Sequence, residues 1–392
     1  MAGTSGTGFV LSVIRQRLFA VLAVSLFLAG LFHSFYFPYI TLFGVREVGM
    51  GPMALGVFLS VSTIGSIAAS TVIARISDAA RSRKRVLLGV LVCGMAGYPV
   101  FAFSRDYAVL LLTGLLVLSF SWATFPQLFA FAGGIDVRGM EKERAFVTGV
   151  LRAVFAAGWV VGPPIGAFLL ERSGFAALYL AIAAIFAVLL ALAALFIEDR
   201  PRDSAPPAGR ESGFSRKLAV NAAGFCAIFL ATSLGGYAFP LFVMETLGAQ
   251  DQHLGWLLGL AAALEIPLMI AGSFLVRRLG TRRLITVGFA GFLAYAAAVF
   301  LASDLRLLYP AQLLNALAVS QIMSIGIAYF QELDPARHDG HDVQQCAGGQ
   351  RHSGGVDVRR LHVLAGLPVR ISVLRRLCRA GARAAPTGGQ PA

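Results

Sequence analysis

The chain holds 392 residues, 57% hydrophobic and only 14% charged, where soluble domains carry roughly 25% charged residues. This composition excludes a soluble enzyme or binding module and predicts a chain that crosses a membrane many times. The net charge of +13 does not mark a nucleic-acid partner, because its Lys and Arg residues sit in short loops between apolar runs and not along one face.

Apolar runs long enough to span a bilayer fall at roughly 18–43, 53–75, 86–104, 108–131, 146–170, 175–197, 218–243, 254–276, 284–303 and 307–331. They predict ten helices and an all-α membrane protein. The first run is too long for the apolar core of a signal peptide, so no cleavage is expected. It is also polar for a span: His33, Ser34, Tyr36 and Tyr39 lie in it, and a His titrates near neutral pH. Ser77-Asp78 and then Arg83-Lys84-Arg85 join runs two and three, and run four carries Gln127 after Pro126.

Run five is the most patterned. Gly149, Gly158, Gly162 and Gly166 punctuate it, and the last three, four apart, share one helix face where another backbone can approach closely. Pro163 and Pro164 remove amide donors and bend the helix. Its one charge, Arg152, is costly at membrane depth unless paired or hydrated. In run eight, Glu265 stands between Leu264 and Ile266-Pro267. Low dielectric disfavours the charged form of such a carboxyl, which suits a proton carrier. Gln312 and Asn315 share a face of run ten, with Gln321 further along. Trp122, Trp159, Trp256 and Tyr237 are candidates for ring stacking or interface anchoring.

The loops alternate. Basic residues crowd the start and the loops after runs two, four, six and eight, the loop after run six being the polar linker 198–217; the opposite loops carry few. That bias puts the amino terminus, residues 1–17, on the cytoplasmic side. The linker, rich in Pro, Ser and Gly, reads as flexible and separates six helices, 18–197, from the remainder, 218–335. The two parts repeat. Glu47 through Leu55-Gly56 recurs as Glu245 through Leu254-Gly255, and the basic loop ending Arg83-Lys84-Arg85 recurs at Arg277 to Arg283. Four cysteines show no zinc spacing and no disulfide framework. No metal, cofactor, nucleophile–base pair or phosphate loop is expected.

The run-five spacing, with Ala167 in place of a final glycine, resembles the antiporter motif in the fifth helix of the major facilitator superfamily. Ser77-Asp78 with Arg83 and Arg85 resembles its loop 2–3 motif in degraded form. Short stretches at 37–49, 125–130, 151–153, 264–267 and 329–333 resemble the bacterial sugar efflux transporters. The resemblance implies two six-helix bundles, a monomer in the bacterial inner membrane, and export of sugars or glycosides driven by proton entry. It implies that helices five and eight meet, so that Arg152 and Glu265 are candidates for pairing and for proton coupling. Gln127, Gln312, Asn315, Tyr36 and His33 are the substrate-binding candidates, because amides offer sugar hydroxyls both donors and acceptors. Gly149, Gly158, Gly162, Pro163, Gly166, Asp78, Arg83 and Arg85 are the gating and packing candidates. A drug exporter is the other transport reading.

Beyond Pro335 the sequence turns basic and no spanning run follows. Read one nucleotide onward from within Arg337, the permitted codons allow the Gly/Thr-rich loop expected there. The expectation is a frameshift: 336–392 an aberrant, disordered tail, the last two helices missing, and a non-transporting product as a third reading.

Overall fold

The computed structural model describes residues 16–80, 82–133, 141–199 and 216–332, together with Val13 and Ile135. No strand occurs among them. The regular elements form ten rods: α1 Arg17–Arg46, α2 Pro52–Ala79, α3 Arg83–Phe103, α4 Tyr107–Ala132, α5 (141–173), α6 (175–196), α7 Leu218–Thr246, α8 Asp251–Leu279, α9 Thr281–Leu301 and α10 Leu305–Glu332. Eight described stretches are long and apolar enough to cross a membrane, and one of them, Val147–Phe196, runs for 50 residues. It divides into α5 and α6 at Gly174, whose φ of 70° and ψ of −176° few residues other than glycine adopt. The expected tail lies outside the described residues.

Several rods are broken where the sequence removes amide donors or adds a residue. α1 leaves the helix at Tyr36 and resumes at Ile40, around Phe37-Pro38. α4 contains a π turn at Gly114–Leu118 and a further turn before Thr124; such bulges carry an extra residue within the helix and often mark functional positions. Capping sets the ends. Ser82 Oγ accepts the Arg85 N–H at 3.2 Å and Asp106 Oδ1 accepts the Val109 N–H at 2.9 Å, each such cap stabilising by about 1 kcal/mol. Lys84 Nζ donates to the Ala194 carbonyl at 2.7 Å, so part of the basic loop 2–3 closes the carboxyl end of α6.

The internal repeat is visible as backbone geometry. Gly49 and Gly248 end α1 and α7 with φ of 70° and 64°. Val48 and Met50 donate to the carbonyls of Phe43 and Gly44, and Leu247 and Ala249 donate to those of Phe242 and Val243. Each member of one set lies 199 residues from its counterpart, the separation that also relates Arg46 to Glu245. The sequence alignment on Glu47 and Glu245 is therefore one residue out of register at its start: Glu245 corresponds to Arg46.

Two regions of core follow. One buried cluster fills the first half and continues through Phe239, Val243, Met244, Leu254, Leu257, Ala302 and Leu308 of the second. These residues lie toward the end of the bundle that carries the sparse acidic loops. A separate cluster, with Phe225, Leu284, Ile285, Ile322 and Phe330, serves the second half alone at the basic end. Among the described residues the halves thus share a core at the acidic end, while at the basic end the second half has a core of its own.

Candidate functional site

The glycine face of α5 packs within its own half, against α1. A methyl group added to Gly158 would lie 2.6 Å from the Phe27 carbonyl oxygen and 2.8 Å from the Leu31 nitrogen. One on Gly30 would run into the Phe155 carbonyl. At Gly162 the obstacle is Ser34, and at Gly166 it is the Tyr39 ring. The Tyr39 hydroxyl donates to the Pro163 carbonyl at 2.7 Å, tying the break in α1 to the prolines of α5. Of the three glycines expected to admit another backbone, Gly158 does so, against α1; Gly162 and Gly166 face side chains of the same helix. Gly149 stands in open space.

The proline side of α5 meets the second half. Gly255 and Gly259 of α8 face Pro163, Pro164 and Val160. Pro164 has no N–H for the Val160 carbonyl, which faces Gly259 instead, 3.0 Å from where its Cβ would be. Ala167, which breaks the glycine pattern, sits against Gly255, so that its methyl group lies 2.7 Å from a Cβ there. The space lost to a side chain on α5 is thus regained on α8.

Charged groups close the acidic end. Arg46 Nε donates to Glu245 Oε1 at 2.7 Å and Arg46 Nη1 to Asp251 Oδ1 at 3.3 Å, across the halves. Gln252 Nε2 donates to Glu171 Oε2 at 2.6 Å, also across them. Arg105 pairs with Glu47 at 2.8 Å and donates to the carbonyls of Phe101, Ala102 and Ser104 at the end of α3. The side chains of Arg46 and Glu245 are 35% and 47% exposed, so their pair is worth no more than about 0.2–1 kcal/mol. Arg46→Glu sets three acids together and is expected to shift the protein toward a state open at that end. Faster alkylation of a cysteine placed at Phe37 would show it, and adding Glu245→Arg should restore the original rate.

The inner wall of the first half is aromatic with polar points. His33 lies 4.9 Å from Trp122 and 5.4 Å from Phe155, ring to ring, and Tyr36 lies 5.4 Å from Trp122. His33 Nδ1 is 2.7 Å from the Ala29 carbonyl. A carbonyl only accepts, so Nδ1 carries the proton and Nε2 keeps its lone pair for a ligand. Phe37 joins this wall to the second half through Tyr237, at 4.8 Å, and lies 6.3 Å from Trp159. Trp256 is 59% exposed on α8 and belongs to the outer surface.

The remaining predicted residues fall elsewhere. Gln127 is buried, and its Oε1 accepts the Ser77 hydroxyl at 3.1 Å, joining α4 to α2. Gln312, fully buried, donates to Leu308 O and accepts from Asn315 Nδ2, each at 3.3 Å, so these two amides satisfy one another on α10. Arg83 is half-buried and Arg85 exposed in the first turn of α3; Asp78 lies near the end of α2. Arg152 and Glu265 make no ion pair with each other or with any other described residue. The packing of Gly255 on Ala167 sets Glu265 level with about residue 157 of α5, so Arg152 lies about 7 Å nearer the basic end. Arg152 is exposed and Glu265 half-buried.

Sequence reasoning missed three things. It used Glu47 and Gly255 only as marks of the repeat, it passed over Tyr39 as a hydrogen-bond donor, and it gave no role to Arg46, Arg105 or Gly259. The repeat, aligned one residue differently, would have paired Arg46 with Glu245.

Residues 140–341 match the Major Facilitator Superfamily. A Deinococcus radiodurans protein named for sugar efflux is 35% identical over 326 residues, 81% of this chain and 83% of that one. Sugar efflux transporter A of Escherichia coli is 30% identical over 339 residues, 84% of this chain and 85% of its own. The crystal structure of the nucleoside transporter NupG superposes with a TM-score of 0.59 at 15% identity, over 82% of this chain and 84% of that one, a likeness of fold alone. The chain is a multi-pass membrane transporter and not an enzyme: it belongs to the Major Facilitator Superfamily, in the group that holds the bacterial sugar efflux transporters.

Proposed function

We propose that the protein exports sugars or glycosides by alternating access, in antiport with protons, as a monomer in the bacterial inner membrane. The amino terminus and the basic loops then face the cytoplasm, and the conformation described is open inward and closed outward. The observation that carries the substrate reading is the wall formed by His33, Tyr36 and Trp122. A sugar offers apolar C–H faces to rings and a rim of hydroxyls to polar points, and the His33 imidazole lies among the rings of Phe32, Trp122 and Phe155. The named activity of the relatives supports the same class.

Alternating access needs one end to close as the other opens. Here Arg46, Glu171, Glu245, Asp251 and Gln252 hold the acidic end shut, while Arg152 and Glu265 are left on the open side. Glu265 is the coupling group in this reading: it has no ion-pair or hydrogen-bond partner on the described chain. Protonation would let it enter the closed apolar environment, and its release would follow when the cleft reopens.

The test is transport in proteoliposomes under an imposed pH gradient, with labelled lactose or methyl glucoside beside a lipophilic dye. Gradient-dependent movement of the sugar and not the dye is expected. Movement of the dye alone would make this a drug exporter, and movement of neither would make it a non-transporting protein. Cysteines placed at Arg83 and at Arg282 are expected to react from the same side of the membrane; reaction from opposite sides would break the duplicated layout.

A further inference from the structure

The wall that carries the sugar reading belongs to one half. His33 and Tyr36 stand on α1, Trp122 on α4 and Phe155 on α5. A substrate held by that wall alone would ride with the first half and bind every conformation equally. A ligand shifts an equilibrium only by its difference in affinity between the states. Alternating access therefore needs a contact from the second half as well. The amides expected to supply it, Gln312 and Asn315, satisfy one another, and Trp256 belongs to the outer surface.

Tyr237 of α7 is placed to supply it. Among the described residues one pair of rings meets across the halves: Tyr237 lies on Phe37, with centroids 4.8 Å apart and planes inclined by 36°. Gly236 permits this approach, since a methyl group there would lie 2.9 Å from the Phe37 ring. Phe37 follows Tyr36 directly in the chain, and the phenols of Tyr36 and Tyr237 are within electrostatic reach of one another. The Tyr237 hydroxyl stands beside that of Thr63 on α2. Thr63 gives its own proton to the Leu59 carbonyl at 2.7 Å, so toward Tyr237 it can only accept. With its proton turned to Thr63, the Tyr237 oxygen keeps lone pairs for a donor on a ligand. The side chain is half-buried, neither sealed in the core nor on the outer surface.

We infer that Tyr237 is the second half's contact with the sugar and selects among sugars: its ring lies against an apolar C–H face, and its oxygen accepts from one hydroxyl of the bound molecule. The inference rests on the sugar-export reading above. Tyr36, Thr63 and Tyr237 bring hydroxyls from α1, α2 and α7 to one place. The first two move with one half and the third with the other, so the grip on the sugar changes as the halves rock. A sugar without the hydroxyl that Tyr237 reads is held less tightly. A lipophilic dye without hydroxyls keeps the ring contact and loses nothing when the phenol oxygen is removed.

Binding of methyl glucoside and its monodeoxy analogues to the full chain, read by quenching of tryptophan fluorescence, tests it. Tyr237→Phe is expected to weaken methyl glucoside roughly fivefold, the effect of one neutral hydrogen bond. The analogue that lacks the hydroxyl read by Tyr237 should bind the variant and the unaltered protein equally. A loss of the same size for every analogue, or no loss for methyl glucoside, would overturn the inference. In the unaltered chain, nitration of Tyr237 by tetranitromethane should slow severalfold when methyl glucoside is bound. Nitration of Tyr329, half-buried in the same half and bonded to Asn221 at 2.7 Å, should not change. Equal nitration of Tyr237 with and without the sugar would also overturn the inference, and this measurement decides if Tyr237→Phe does not fold. An unaltered protein that binds the dye and no glucoside would instead remove the sugar reading, and this contact with it.

Discussion

Glu265→Gln is expected to abolish uphill export while leaving counterflow of labelled glucoside running. Glutamine keeps the size of the side chain and mimics its neutral form, so the protein can close around it and turn over, but no proton is carried. Glu265 is half-buried on α8 with no ion pair to Arg152, and a lone carboxylate sealed into a membrane protein is disfavoured by about 2.5–3.5 kcal/mol or more. Accumulation against a gradient should fall to simple equilibration, measured as sugar content at steady state with and without the pH gradient. An E265Q protein that still concentrates sugar would remove Glu265 from coupling. Arg152→Ala is expected to have a smaller effect, since the two groups do not pair with each other in this conformation.

The second large effect concerns the contact of α1 with α5. Gly158→Ala should destabilise the protein by about 1–3 kcal/mol, the usual range for overpacking. The atoms in the way at Gly158 are backbone atoms of Phe27, Gly30 and Leu31, which move only if a whole helix moves. Gly162→Ala should be milder, because its obstacle is the Ser34 side chain, which has other rotamers. Thermal unfolding in detergent orders the two: Gly158→Ala should melt well below Gly162→Ala. The reverse order would mean that the α1–α5 contact is not the stiff part of the bundle.

Much of the architecture was legible in the sequence because a bilayer leaves few options: apolar runs of spanning length become helices, and the ten expected correspond to ten rods among the described residues. The glycine spacing in α5 also carried its meaning, since Gly158, Gly162 and Gly166 must share a face. Which helix they face was not legible, because a small-residue stripe states that something comes close and not what. The site was harder. Gln127, Gln312 and Asn315 are amides in apolar runs, and an amide satisfied by Ser77 or by its own helix looks the same in sequence as one waiting for a ligand. His33 could be named, but the lone pair at Nε2 follows only from the Ala29 carbonyl at Nδ1. The Arg46 clasp was hidden by an alignment one residue out.

That clasp bears on how such a protein came to exist. Arg46 and Glu245 occupy corresponding places in two halves of common pattern. An ancestral pair of identical chains would have set like charge against like at this point and resisted closure there. In a single chain the two positions can carry opposite signs, as Arg46 and Glu245 do. Two separately made copies of the first half should therefore associate poorly at their outer ends, and the ability to shut one door firmly is a property that only the fused, unlike halves possess.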